Sequence, residues 1–179
     1  MIPVNVDKIS YHPSSRSYAV LLKEEKSEKV LPILVGSFEA QSIALALEVV
    51  ETPRPLTHDL ICEMIKKIDG KLISVYISKL NDGVFYAKLK IKGLKFGIKQ
   101  IDSRPSDAIS IALRLNAPIY VSPEVIKEAG VNQEDISEES SLTPKYSIED
   151  LKLRLKKAIE KEDYEKAAKI RDKLKELDS

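Results

Sequence analysis

The sequence predicts an α+β fold: a mostly antiparallel twisted sheet with packed helices, followed by a C-terminal antiparallel helical hairpin. Three observations carry that reading. Apolar and polar residues alternate in the first third of the chain and again between Ile73 and Ile98, as strands with one buried face require. Apolar stripes at helical spacing interrupt the alternation. A polar, acidic, Ser-rich stretch from Gln133 to Pro144 then separates these elements from a second helical pattern. The implied organisation is an α+β domain over 1–136, a linker over 137–145 and a helical hairpin over 146–179.

In order, Val4 and Val6, then Tyr18, Val20 and Leu22, then Val30 to Val35 read as three strands, the first two joined through Pro13-Ser14-Ser15. Phe38 to Val50 is apolar almost all round and predicts a largely buried helix that Pro53 and Pro55 end. A second helix is expected from a Thr57 cap, with Asp59 at its positive end, an apolar stripe through Leu60, Ile61, Met64, Ile65 and Ile68, and a stop at Gly70. A meander follows. Ile73, Val75 and Ile77 alternate before the turn Asn81-Asp82-Gly83, Phe85 to Ile91 alternate after it, and Leu94, Phe96 and Ile98 suggest a third strand. A helix with Pro105 in its first turn runs from Ser103 to Asn116, then a strand at Ile119-Tyr120-Val121 and a helix from Pro123 to Ala129.

Composition narrows the functional classes. Lys plus Arg number 29 against 28 Asp plus Glu among 179 residues, so there is no global field toward polyanions, and nucleic-acid binding needs a local patch. A single cysteine, Cys62 on an apolar helix face, cannot form an internal disulfide and reads as a small buried side chain. The first residues carry no basic, apolar leader, and no apolar run reaches membrane-spanning length. The expectation is a cytoplasmic protein without membrane contact.

Beyond the linker, Leu155, Ala158, Ile159, Glu162, Asp163, Tyr164, Glu165, Lys166, Ala167, Ala168, Lys169, Ile170, Arg171, Asp172, Leu174 and Leu177 fall in an order that closely resembles the UVR motif. That motif is the helical hairpin through which the excision-repair proteins UvrB and UvrC associate, and it occurs in stress-response adaptors. The resemblance implies a protein partner met through Tyr164, Ala167, Ala168, Ile170 and Arg171. Short helices that are marginal alone also make self-association, and hence a homo-oligomer, an expectation. From Lys145 to Ser179 there are 11 basic and 9 acidic residues, a mixture suited to protein pairing rather than to DNA.

The first domain resembles the bifunctional nuclease family, through Leu31-Pro32-Ile33 with Val35-Gly36 and Glu39-Ala40, through Pro53-Arg54-Pro55-Leu56-Thr57-His58-Asp59-Leu60, and through Ile101-Asp102-Ser103-Arg104-Pro105-Ser106-Asp107-Ala108-Ile109. The resemblance implies metal-assisted cleavage of DNA and RNA with little sequence preference. Each of the three segments lies where a strand or loop gives way to a helix. Breaking a phosphodiester calls for carboxylates on a hard divalent cation, a base, and a cation for the phosphate. Glu39, Asp102 and Asp107 are candidate ligands for Mg²⁺ or Mn²⁺, with Asp59 beside them; His58 is the candidate base, and Arg54 and Arg104 the phosphate clamps. Taken singly, Asp59 and Asp107 are better explained as acids at positive helix ends. That explanation does not cover a His and an Arg beside them. Lys88, Lys90 and Lys92, with Lys95 and Lys99 on the next strand and Tyr76 and Tyr86 nearby, form either a basic track for a phosphate backbone or a solvated sheet face. The alternative to a nuclease is a non-catalytic binding or adaptor protein whose polar cluster is structural or holds a small anion.

Overall fold

A computed structural model describes residues 1–12, 17–25 and 27–132. The chain divides after Asp135 into two units, and the described residues all lie in the first. The linker at 137–145 and the hairpin at 146–179 lie outside the described residues.

The described elements are β1 (Ile2–His12), β2 (Ser17–Glu24), β3 (Lys29–Val35), α1 (Ser37–Leu47), α2 (Thr57–Lys67), β4 (Gly70–Asn81), β5 (Val84–Gly93), β6 (Gly97–Ser103), α3 (Pro105–Arg114), β7 (Ile119–Val121), α4 (Pro123–Ala129) and β8 (Val131–Asn132). They form an α+β domain around one eight-stranded sheet of order β6-β5-β4-β7-β1-β2-β3-β8. Every pairing is antiparallel except β4 with β7, which the long crossover through β5, β6 and α3 makes parallel. Asp82 (φ 51°) and Gly83 (φ 79°) both take positive φ, which makes the β4–β5 connection the tight hairpin its Asp-Gly pair predicts.

One core holds the sheet and helices together. Val20, Leu22, Leu31, Ile33, Val75, Ile77, Leu89 and Ile91 meet Ile43, Ile65, Ile109, Ile111 and Val125. Each fully buried aliphatic side chain contributes about 1.5–3 kcal/mol. The most buried helix is α3, where Pro105, Ser106, Ala108, Ile109, Ser110, Ile111 and Ala112 are all covered. That corrects the expectation for Phe38 to Val50. In α1 only Ala40, Ser42 and Ile43 are buried, while Phe38 is 84% exposed. An all-round apolar pattern does not say which helix lies in the middle; α3 packs on both α1 and α2, so they enclose it.

Three boundaries differ from expectation. Thr57 is the first residue of α2 rather than its cap: Leu56 holds that place, and the Asp59 carboxylate accepts from the Leu56 N–H at 2.8 Å. The left-handed residue closing α2 is Asp69 (φ 55°), one before Gly70. The third meander strand begins at Gly97; Leu94 to Phe96 form the turn, because the Phe96 ring folds under Gly93, where an added Cβ would lie 2.3 Å from it. The two-residue β8 was not anticipated; it adds to the edge of β3 through Val30 and Val131.

Candidate functional site

Helix periodicity sets the site. On α3, Asp107, Ser110 and Arg114 are spaced by three and four residues, so they share one face; on α1, Glu39 and Ser42 do the same. The first turn of α2 brings His58 and Asp59 against both. Arg104, the N-cap of α3, closes the end of the row.

The result is one continuous polar chain across three helices. Arg104 donates from Nε to Asp107 Oδ2 at 2.8 Å, from Nη2 to Asp107 Oδ1 at 3.0 Å, and from Nη1 to Glu39 Oε1 at 3.0 Å. His58 Nε2 lies 3.1 Å from Asp107 Oδ1, and His58 Nδ1 lies 2.8 Å from Ser42 Oγ. Ser42 Oγ is 2.7 Å from Ser110 Oγ. Arg114 then donates from Nη1 to Ser110 Oγ (2.7 Å) and to the Ser42 carbonyl (3.1 Å), and from Nε to Asp59 Oδ1 (2.6 Å).

Burial raises the Asp107 pKa, but hydrogen bonds from Arg104 and His58 outweigh it and hold the carboxyl below its ordinary range. The Asp59 carboxyl is likewise held low: burial acts against it, while Arg114 and the Leu56 N–H favour the charged form. Bonding to Asp107 raises the Arg104 pKa further, so that guanidinium stays charged throughout. Cys62 is buried as expected, and burial pushes its thiol up, away from nucleophilic use.

A cleft of about 580 Å³ opens over this chain, lined by Phe38, Glu39, Ser42, His58, Arg104 and Asp107 among others. Glu39, His58 and Asp107 therefore converge with Arg104 at its wall; Asp59 is not among the lining residues and is linked to them through Arg114, Ser110 and Ser42. Asp102, Arg54, Lys88 and Lys90 do not line it. Asp102 pairs in register with Lys88, whereas its neighbour Ser103 pairs with core-facing Ala87, so alternation puts Asp102 on the opposite sheet face. Arg54 is exposed in the loop before α2. Lys88, Lys90 and Lys92 share the face away from the core, opposite Tyr76, Ser74 and Lys71 of β4. Lys99 pairs with buried Ile91 and so points to the other face, and Lys95 falls in the turn, which reduces the expected basic track to β5 and its β4 neighbours.

The donors do not fit the expected cation as arranged. Among the described residues no three His, Cys, Asp or Glu side chains are grouped to hold a metal ion. The Arg104 guanidinium bridges Glu39 and Asp107, and the third expected ligand, Asp102, lies on the opposite sheet face. Sequence reasoning missed Ser42, Ser110 and Arg114. Their common face on α1 and α3 is visible in the spacing, but small hydroxyls inside apolar helices give no chemical signal until a partner is known.

A family model described as the bifunctional nuclease domain matches residues 20–134. The chain belongs to the bifunctional nuclease domain family. The UvrB/uvrC motif matches 145–179, in agreement with the C-terminal resemblance. An uncharacterized protein of Mycobacterium tuberculosis (strain ATCC 25618 / H37Rv) is 42% identical over 125 residues, 69% of this chain and 73% of that protein. Bifunctional nuclease 1 of Oryza sativa subsp. japonica is 29% identical over 123 residues, 66% of this chain and 37% of that protein. Bifunctional nuclease 2 of Arabidopsis thaliana is 27% identical over 187 aligned positions, 92% of this chain and 56% of that protein. The chain thus spans only 37% and 56% of the lengths of these two plant relatives. No helix among the described residues is long and apolar enough to cross a membrane.

Proposed function

We propose that the domain cleaves nucleic-acid phosphodiesters with low sequence preference in the cleft at His58, Asp107 and Arg104. The observation that supports this most is the meeting of three segments far apart in sequence at one wall, with an imidazole, a carboxylate and a guanidinium in contact. A guanidinium carries five N–H donors. Among the described residues three of those on Arg104 are engaged, leaving two for a phosphate oxygen, and its side chain is 64% exposed. Asp107 holds the His58 ring in place through Nε2, so the ring is positioned to take up and return a proton during cleavage. Phe38, exposed on the cleft rim, offers a face on which an unpaired base can stack. The Lys88 and Lys90 face supplies weaker backbone attraction away from the chemistry. The segment at 145–179 recruits a protein partner, a role supported by its match to the UvrB/uvrC motif.

A second reading is favoured by the pairing of Glu39, Asp59 and Asp107 with arginines: the cluster is structural, and the cleft binds a small anion without cleaving. Labelled single-stranded and duplex DNA and RNA, incubated with the purified chain in Mg²⁺, Mn²⁺ or chelator, separate the two. Cleavage that is lost in Asp107→Ala and kept in Asp102→Ala supports the cleft. Undiminished cleavage in Asp107→Ala removes the site, and an inactive native chain leaves the anion-binding reading.

A further inference from the structure

We infer that Ser42 is the nucleophile of the cleft and that strand cleavage passes through a phosphoseryl ester. The inference rests on the nuclease reading and names its attacking group. Both ring nitrogens of His58 are engaged, Nε2 with Asp107 and Nδ1 with Ser42. No imidazole nitrogen is left to face a water molecule, and the hydroxyl within its reach is that of Ser42. A nucleophile bonded to a base that is itself oriented by a carboxylate is the arrangement nucleophilic catalysis requires. Ser42 lines the cleft while being only 8% exposed, so its oxygen reacts in a low-dielectric setting with limited competition from solvent.

The bonds behind Ser42 fit the same role. A guanidinium can only donate, so Ser110 Oγ accepts from Arg114 Nη1 and its own hydrogen is available to Ser42 Oγ at 2.7 Å. Ser42 then directs its hydrogen to Nδ1, which assigns the neutral ring's proton to Nε2, facing Asp107. Negative charge developing on Ser42 Oγ is met by the Ser110 hydroxyl, polarised in turn by Arg114. None of these steps calls on a metal ion, in keeping with the donor set at Glu39 and Asp107.

In the first half-reaction His58 Nδ1 takes the Ser42 proton as Oγ bonds to phosphorus. The bond from phosphorus to one ester oxygen of the strand breaks, and that oxygen receives the proton from His58. In the second, water gives a proton to His58 and bonds to phosphorus, the Oγ–P bond breaks, and the proton returns to Ser42. The sum is diester plus water to monoester plus alcohol, with Arg104 meeting the phosphate charge in both halves.

Cleavage of a dinucleotide phosphorothioate of defined configuration in ¹⁸O-water tests this on the full native chain. One in-line displacement inverts phosphorus, and two in series restore it. Retention, together with a loss of about a thousandfold or more in Ser42→Ala under conditions where that variant is folded, is the expected result. Inversion overturns the inference, as does native-like cleavage by Ser42→Ala, and in both cases the nuclease reading survives. A native chain that cleaves nothing under any metal condition overturns both.

Discussion

The wall of the cleft and the lysine face of the sheet are both polar surfaces, yet they are built in opposite ways. Lys88, Lys90 and Lys92 come from one strand and owe their common side to alternation alone. None of the three holds a hydrogen bond or ion pair through its side chain with another described residue. Glu39, Ser42, His58, Asp59, Asp107, Ser110 and Arg114 come from three helices, and each is bonded to a residue of another element. A surface that only attracts a phosphate backbone tolerates loose, independent charges. A surface that moves a proton needs groups whose positions depend on one another.

The contrast breaks most visibly at the imidazole. His58→Ala is expected to lower cleavage about 10²–10⁴-fold in single-turnover assays. Next in size is Asp59→Ala. The Arg114 side chain is only 10% exposed, and without its carboxylate partner it is left with neutral acceptors. A loss of about 2–3 kcal/mol in urea denaturation should follow, against changes within about 0.5 kcal/mol for Lys88→Ala and Lys90→Ala. The lysine pair shows itself elsewhere: the slope of log binding constant against log salt should shrink by about one per lysine removed.

The smallest effect concerns acid. Asp59 and Asp107 are held below their ordinary value of 3.8 in the folded chain, so the unfolded chain binds protons first as pH falls. Their contribution is fully present above that value and lost as pH drops through the lower folded values. Asp107→Asn should flatten the dependence of melting temperature on pH below 3.8, and the lysine variants should leave it unaltered.

Much of this was legible in the residues. Alternation and turn chemistry gave β1 to β5 and β7 and placed β6 too early in the chain, and the junction motifs named five of the residues that meet: Glu39, His58, Asp59, Arg104 and Asp107. Asp102 was misplaced because a motif read as a string ignores that successive strand residues face opposite ways. The serines were missed because a hydroxyl in an apolar helix looks the same whether it caps, packs or reacts. Which helix is central was likewise hidden, since α1 and α3 are both apolar and only tertiary packing decides between them.

The central claim is that bonds break in the cleft and not over the sheet. Single-turnover cleavage of a labelled single strand, followed across substrate concentration for Asp107→Asn and for the Lys88→Ala/Lys90→Ala pair, tests it directly. The account predicts a maximal rate at least about a hundredfold lower with little change in half-saturation for Asp107→Asn. For the lysine pair it predicts a native maximal rate with weaker half-saturation. A native maximal rate in Asp107→Asn, with the loss confined to the lysine pair, would contradict it.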